Sequence, residues 1–164
     1  MYKCNSGTPM SRSRVECDSE EDIGILLVGH HAMLTDSIAA RLRSEARFSL
    51  LGIVRATTGA VEAVAAHRVD VLLMDIDTAE TACFKIATEI RTVQSHVRII
   101  FISAMIRDRY VERALQIGAR GFLLKDDLPQ TIVPAILEAI RGGASFPEEV
   151  RSRIVVGPTG ASIG

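Results

Sequence analysis

The chain has 164 residues, of which 48% are apolar and 24% charged, a composition typical of one compact folded domain. A formal net charge of −1 excludes the broad basic field expected of an autonomous nucleic-acid-binding protein. No apolar stretch approaches the roughly 18 to 20 residues that a membrane span needs. No N-terminal apolar segment follows a basic start, as a signal peptide would require, so we expect a soluble, cytoplasmic protein.

The first 22 residues are rich in serine, arginine and acidic side chains and show almost no apolar periodicity. Such a segment cannot bury enough apolar surface to offset the entropy of ordering its backbone. We therefore predict a disordered tail over residues 1–22 and a folded domain over residues 23–143.

The folded region alternates apolar runs of strand length with segments that carry apolar residues at helical spacing. The predicted strands are Ile23–Val28, Leu50–Val54, Val69–Met74, Val97–Ile102 and Gly121–Leu124. The predicted helices are Met33–Glu45, Thr58–His67, Thr81–Arg91, Arg107–Ile117 and Leu128–Arg141. Strict alternation with short links needs right-handed crossovers, which produce a parallel sheet with helices on both faces. We predict an α/β, flavodoxin-like (βα)5 three-layer sandwich, with a five-stranded parallel sheet in the order 2-1-3-4-5.

The last residues carry weaker patterns. Gly142 and Gly143 are expected to end the fifth helix. Residues 144–164 are then predicted to form a C-terminal extension or linker, with no output domain. Within it, Pro147–Val150 can start a short helix, whereas Gly157–Gly164 has the composition of turns and linkers.

Polar residues follow three of the apolar runs. Asp75 follows the third run, Ser103 the fourth and Lys125 the fifth. The carboxyl ends of parallel strands meet at one edge of an open α/β sheet, where such folds build their sites. We therefore expect an acid, a hydroxyl and an ammonium to converge at that edge.

This pattern resembles the receiver domain of two-component response regulators, particularly the NarL/FixJ-like subfamily, over roughly residues 23–150. The segments that carry the resemblance are Ile25–His31, Asp70–Asp75, Phe101–Ala104 and Ala114–Asp126. The resemblance implies that Asp75 accepts a phosphoryl group, that Ser103 and Lys125 bind its oxygens, and that Phe122 and Ser103 are switch residues. It implies a sensor histidine kinase or another signalling protein as partner, and a homodimer through the face of the fourth helix, fifth strand and fifth helix. No direct nucleic-acid binding by this chain is expected.

The pattern departs from that family at its metal site. Gly29 and His30 stand where the family has two acids. Mg²⁺ prefers hard oxygen ligands, whereas glycine offers no side chain and imidazole is a poor substitute. Asp75 and the backbone carbonyl of Asp77 are the metal ligands that the resemblance leaves. We predict an atypical receiver in which Mg²⁺ binding is weak or lost and switching is weak or independent of phosphorylation.

The two histidines allow different interpretations. His30 and His31 are either surface loop residues or, in the case of His30, a protonated imidazole that lies against Asp75 and replaces the missing cation. Zinc held by His30, His31 and Asp75 is a minor alternative, because adjacent residues of an extended chain point in opposite directions.

A rival function comes from the string Met74–Thr78, which is similar to the nucleophile motif of haloacid-dehalogenase-like phosphatases. In that interpretation Asp75 attacks phosphorus and Asp77 is the general acid and base. Ala79 departs from the motif, and no segment corresponds to a cap domain.

Overall fold

A computed structural model of the chain describes residues 22–76 and 80–164. Residues 1–21 of the predicted disordered tail lie outside these ranges, as does the backbone carbonyl of Asp77. The strands of the main sheet are β1 Ile23–Val28, β2 Phe48–Val54, β3 Val71–Asp75, β4 Arg98–Ser103 and β5 Gly121–Leu124. The helices between and after them are α1 Ala32–Arg43, α2 Ala60–Ala66, α3 Glu80–Val93, α4 Asp108–Ile117 and α5 Leu128–Ile140.

The sheet is parallel throughout, and its strands lie in the order β2-β1-β3-β4-β5. This confirms the predicted flavodoxin-like sandwich. One apolar core lies between the sheet and α2, α3 and α4, and a second lies under α1 and α5. Because helices cover both faces, β1 and β3 are buried at every position, and their sequences are apolar except for Asp75 at the end of β3. Within the described ranges, no helix has the length and apolar character of a membrane span.

The strand ends differ slightly from the predicted ones, in a way that matters for the site. Asp75 and Ser103 are the last residues of β3 and β4 rather than the first residues of loops. Backbone pairing continues through them, because Asp75 is in register with Ile102, and Ser103 with Leu124. Both side chains are therefore held by the ladder of the sheet.

The segment after α5 differs from the predicted linker. Residue Ser145 forms a parallel bridge with Gly121 at the outer edge of β5, and the N–H of Phe122 donates to the carbonyl of Ser145 over 2.9 Å. A short helix, α6 Glu148–Arg151, follows as predicted, and then an antiparallel hairpin of β6 Ile154–Gly157 and β7 Gly160–Ile163.

The hairpin forms where turn composition alone was expected. Gly160 has a φ of 121°, which lets the chain reverse directly after Pro158 and Thr159. Ile154 and Ile163 are directly opposite each other, and both pack against the core while β7 lies on α4. Four-residue strands are too short to show a clear period, so the turn residues dominate the sequence pattern.

An ion pair joins this hairpin to α4. Arg153 precedes β6, and its Nη1 and Nη2 lie 2.9 and 3.0 Å from the two carboxylate oxygens of Asp108, the first residue of α4. Mainly through these hydrogen bonds, and also through its charge, Arg153 holds the pKa of Asp108 below its usual value of 3.8. The stabilisation from this pair is therefore present above pH 3.8 and is lost as the pH falls through the lower pKa of the folded state.

We predict that Arg153→Gln moves the pKa of Asp108 back towards 3.8, because the hydrogen bonds and the charge that favour its ionised form are lost. The measurement is an NMR titration of the Asp108 carboxyl carbon. Arg151→Gln is the matched control, since Arg151 contacts Glu148 and not Asp108. An Asp108 titration midpoint that is the same in wild type and Arg153→Gln would contradict the assigned ion pair.

Candidate functional site

The carboxyl edge of the sheet brings together Asp75 and Lys125. Asp75 ends β3 and is 2% exposed, and Lys125 follows β5 at the start of a single 3-10 turn. The Lys125 ammonium Nζ lies 3.0 Å from Oδ2 of Asp75, and the lysine side chain is 18% exposed. The pair crosses the end of β4, because that strand lies between β3 and β5. It therefore joins the ends of two strands that are not neighbours in the sheet.

Burial makes this pair sensitive to the loss of either partner. Removing a carboxylate and an ammonium from water is costly, and their attraction offsets that cost only while both are present. Asp75 is almost fully enclosed, whereas Lys125 keeps a route to solvent along its side chain. Loss of the Lys125 ammonium should therefore lower the free energy of unfolding more than loss of the Asp75 carboxylate.

Ser103 lies at the same edge and controls the loop that follows it. Its Oγ donates a hydrogen bond to the backbone carbonyl of Met105 over 2.9 Å and accepts one from the Met105 N–H over 3.3 Å. Ser103 is fully buried, and its backbone pairs with Leu124, the residue before Lys125. The hydroxyl thus ties the β4–α4 loop to the strand end beside the ion pair.

Gly29 follows β1 and lies directly beside Asp75. A Cβ at position 29 would be 3.5 Å from Cβ of Asp75 and 3.0 Å from Cγ2 of Thr35. A longer side chain at this position would reach the site, but glycine contributes only backbone. The buried Thr35 fills the neighbouring space and donates its hydroxyl to the carbonyls of His31 and Ala32.

The two histidines after Gly29 are on the surface. His30 and His31 are both exposed, which favours the interpretation as surface loop residues over a cation stand-in beside Asp75. In the described part of the chain, no group of three or more histidine, cysteine or acidic side chains is placed to hold a metal ion. The described residues therefore give no support to the minor alternative of a zinc site made by His30, His31 and Asp75.

Phe122 is fully buried on the side of the sheet that α4 covers. Its ring belongs to the same core as Phe101 and Val150, and its N–H is bound to Ser145. The residue at the expected switch position thus has its side chain inside the core and its backbone joined to the segment after α5.

Sequence reasoning missed two residues at this edge, Thr35 and Arg55. Arg55 directly follows β2, and its guanidinium lies 3.4 Å from the Thr35 hydroxyl and 3.5 Å from a carboxylate oxygen of Asp36. Its position could have been found by the rule that identified Asp75, because it also follows the carboxyl end of a strand. Thr35 carries no such signal, since its place beside Gly29 depends on how α1 packs.

Comparison with known proteins identifies the fold and the family. Residues 25–137 match the family model described as the response regulator receiver domain. The chain belongs to this receiver family. The solved receiver domain of the response regulator NarL from Mycobacterium tuberculosis is 29% identical, with a TM-score of 0.69 over 74% of this chain and 98% of that one. The isolated RcsB receiver domain from Salmonella enterica, at 16% identity and a TM-score of 0.71 over 80% of this chain and 97% of that one, supports the fold alone.

The relatives of this receiver domain are larger proteins. A probable transcriptional regulatory protein NarL of Mycobacterium tuberculosis is 29% identical over 122 residues, which are 74% of this chain and 56% of that protein. Fimbriae Z protein of Salmonella typhimurium is 26% identical over 125 residues, which are 76% of this chain and 60% of that protein. The chain thus spans less than two thirds of the length of these relatives.

The family match bears on the functional alternatives. Receiver domains are signalling modules of two-component systems, and this chain is one of them. The match gives no support to a haloacid-dehalogenase-like phosphatase. The second aspartate of that alternative, Asp77, lies outside the described residues.

We predict that Lys125→Met lowers the free energy of unfolding by about 2 to 4 kcal/mol, because it leaves the Asp75 carboxylate buried without the ammonium. Asp75→Asn should cost less, since Lys125 can extend to solvent. Urea unfolding measures both. Arg41→Met is the control, because it breaks the exposed pair of Arg41 with Glu45 and should cost less than about 1 kcal/mol.

The test compares the loss in free energy of unfolding between Lys125→Met and Arg41→Met. A cost for Lys125→Met no larger than that of Arg41→Met would mean that the ammonium beside Asp75 contributes nothing beyond a surface ion pair.

Proposed function

We propose that this receiver domain has Asp75 as its phosphoacceptor or the vestige of one, and that its switching is weak or independent of phosphorylation because the site is poor in metal ligands. The observation that carries this proposal is the position of Gly29: a Cβ added there would lie 3.5 Å from Cβ of Asp75. At the place where a second carboxylate would share a cation with Asp75, this chain has no side chain.

The residues present do not fit Mg²⁺. The ion takes six oxygen ligands in a nearly octahedral array and loses its waters reluctantly. Asp75 supplies one carboxylate here, Gly29 supplies none, and the exposed imidazole of His30 is a poor ligand for a hard cation. The Lys125 ammonium also lies against one of the two Asp75 carboxylate oxygens, Oδ2. We therefore assign no step to a bound metal.

Phosphoryl transfer depends on positioning and on positive charge around the transferring oxygens. In this site that charge comes from Lys125. A phosphoryl group on Asp75 would have to separate the 3.0 Å ion pair and then bind the same ammonium through a phosphoryl oxygen. For Ser103 to donate to it, the hydroxyl would have to leave the carbonyl of Met105. Both rearrangements oppose the modification when no metal assists it.

The partners follow from the same proposal. We assign this domain a sensor histidine kinase, or another signalling protein, as its partner. We also assign it a signalling role rather than turnover of a substrate. The names of the relatives as transcriptional regulatory proteins support transcription regulation as the output. A homodimer through α4, β5 and α5 remains a proposal. The α4 and β5 part of that face is covered by residues 145–163.

We predict that the double variant Gly29→Asp with His30→Asp accepts a phosphoryl group from acetyl phosphate and Mg²⁺ on the order of tenfold faster than wild type, because restored carboxylates provide a cation site. Intact mass spectrometry follows the adduct. Gly29→Ala is the control for crowding against Thr35, since it adds the Cβ without the carboxylate. The adduct should vanish when Asp75→Asn is added.

A wild-type chain that gains a Mg²⁺-dependent adduct at Asp75 as fast as the double variant would show an ordinary phosphorylation switch and remove the reason for calling the site atypical.

A further inference from the structure

The face formed by α4 and β5 is occupied by the chain's own C-terminal segment. We name residues 144–164, with α6, β6 and β7, the C-terminal clasp. The clasp bridges the outer edge of β5 through Ser145, and its last strand packs along α4. Backbone hydrogen bonds that a bare edge strand would leave open are thereby made by Ser145 on both sides, to Phe122 and to Arg120.

The two halves of the clasp are held with different strength. Val150 in α6 is 1% exposed and belongs to the core that contains Phe122. Beyond it, Ile154 and Ile163 are only half-buried, and Val156 near the tip of the hairpin is 81% exposed. A segment with few buried apolar contacts opens at low free energy, so the hairpin can separate from α4 while α6 stays in place.

The hairpin is also held by the ion pair of Arg153 with Asp108, which is exposed to solvent. Exposed pairs contribute little to stability and respond strongly to geometry, because a small displacement removes the two-point contact. Asp108 is the first residue of α4. Any movement of the start of this helix therefore acts directly on the pair.

The start of α4 is connected to the site by a short loop. Ser103 lies at the same sheet edge as the ion pair of the site, and its hydroxyl binds the N–H and the carbonyl of Met105. Arg107, in extended conformation, is the residue directly before α4. Four residues lie between Ser103 and Asp108. The loop thus connects the residue that binds Met105 to the residue that Arg153 binds.

We propose that the hairpin of the C-terminal clasp is a releasable cover of the α4–β5 face, with Asp108 and Arg153 as its release point and the Ser103–Met105 hydrogen bonds as the contact that keeps it closed. In the closed state the face is filled by the segment's own Ile154 and Ile163. When the Ser103 hydroxyl leaves Met105, the β4–α4 loop loosens, the ion pair of Arg153 with Asp108 separates, and the hairpin leaves the α4–β5 face. The device needs no phosphoryl group on Asp75, so it stands apart from the function proposed above.

Hydrogen exchange of the 164-residue chain, measured by mass spectrometry, tests the release point. Arg153→Glu places two carboxylates together and should speed exchange of the β6 and β7 amides by about two- to fivefold. The charge reversal that adds Asp108→Arg should restore slow exchange. Arg151→Glu is the matched control, because Arg151 lies in the same segment but contacts Glu148.

The apolar contact is tested in the same way. Ile154→Ser should speed hairpin exchange, because Ile154 packs against the core, whereas Val155→Ser, at a neighbouring position that is 54% exposed, should not. Hairpin exchange that is unchanged in both Arg153→Glu and Ile154→Ser would overturn the proposed cover.

The coupling to the site is tested with Ser103→Ala in the unphosphorylated protein. It removes both hydrogen bonds to Met105 and should speed exchange of the first turn of α4 and of the hairpin, while Ser103→Thr, which keeps the hydroxyl, should not. Hairpin exchange that stays at the wild-type rate in Ser103→Ala, while Arg153→Glu raises it, would overturn the coupling. Since no phosphodonor is present, this outcome is independent of whether Asp75 is ever modified.

Discussion

The buried contact of Asp75 with Lys125 is the constraint on which the rest of the site depends. A carboxylate that is 2% exposed needs a compensating charge, and the order of the strands makes the residue after β5 the one that provides it. The contact passes over the end of β4, which lies between β3 and β5. Ser103, the last residue of β4, therefore lies between the strands that carry Asp75 and Lys125. The fold thus determines which side chains lie at this sheet edge, and the residue types determine the chemistry of the site.

Gly29 changes what that arrangement means for a receiver domain. With a carboxylate at this position, Asp75 would share a cation with a neighbouring acid, and Lys125 would be one of two positive charges at the site. With glycine at position 29, the Lys125 ammonium is a positive charge that the structure places 3.0 Å from the Asp75 carboxylate. Under the proposed function, a change of state would have to displace Lys125 from Asp75 or Ser103 from Met105. We expect such a change to alter the α4–β5 face, which the C-terminal clasp covers.

Much of this could be predicted from sequence, for physical reasons. Buried parallel strands must be apolar along their whole length, which located β1 and β5 to the residue, and polar residues that end such runs must lie at one sheet edge, which located Asp75 and Lys125. The hairpin was missed because Pro158 and Gly160 signal a turn more strongly than two four-residue strands signal a sheet. The role of Thr35 was missed because it depends on tertiary packing, which has no local signature.

We propose that Lys125, rather than a metal ion, balances the charge of Asp75 in this receiver domain. The decisive measurement is an NMR titration of the wild-type chain with Mg²⁺, followed through the backbone amide signals of Asp75 and Ser103. We expect no saturable shift of these signals at millimolar Mg²⁺. A saturable shift of both signals that Asp75→Asn abolishes would show that a metal ion binds Asp75 instead.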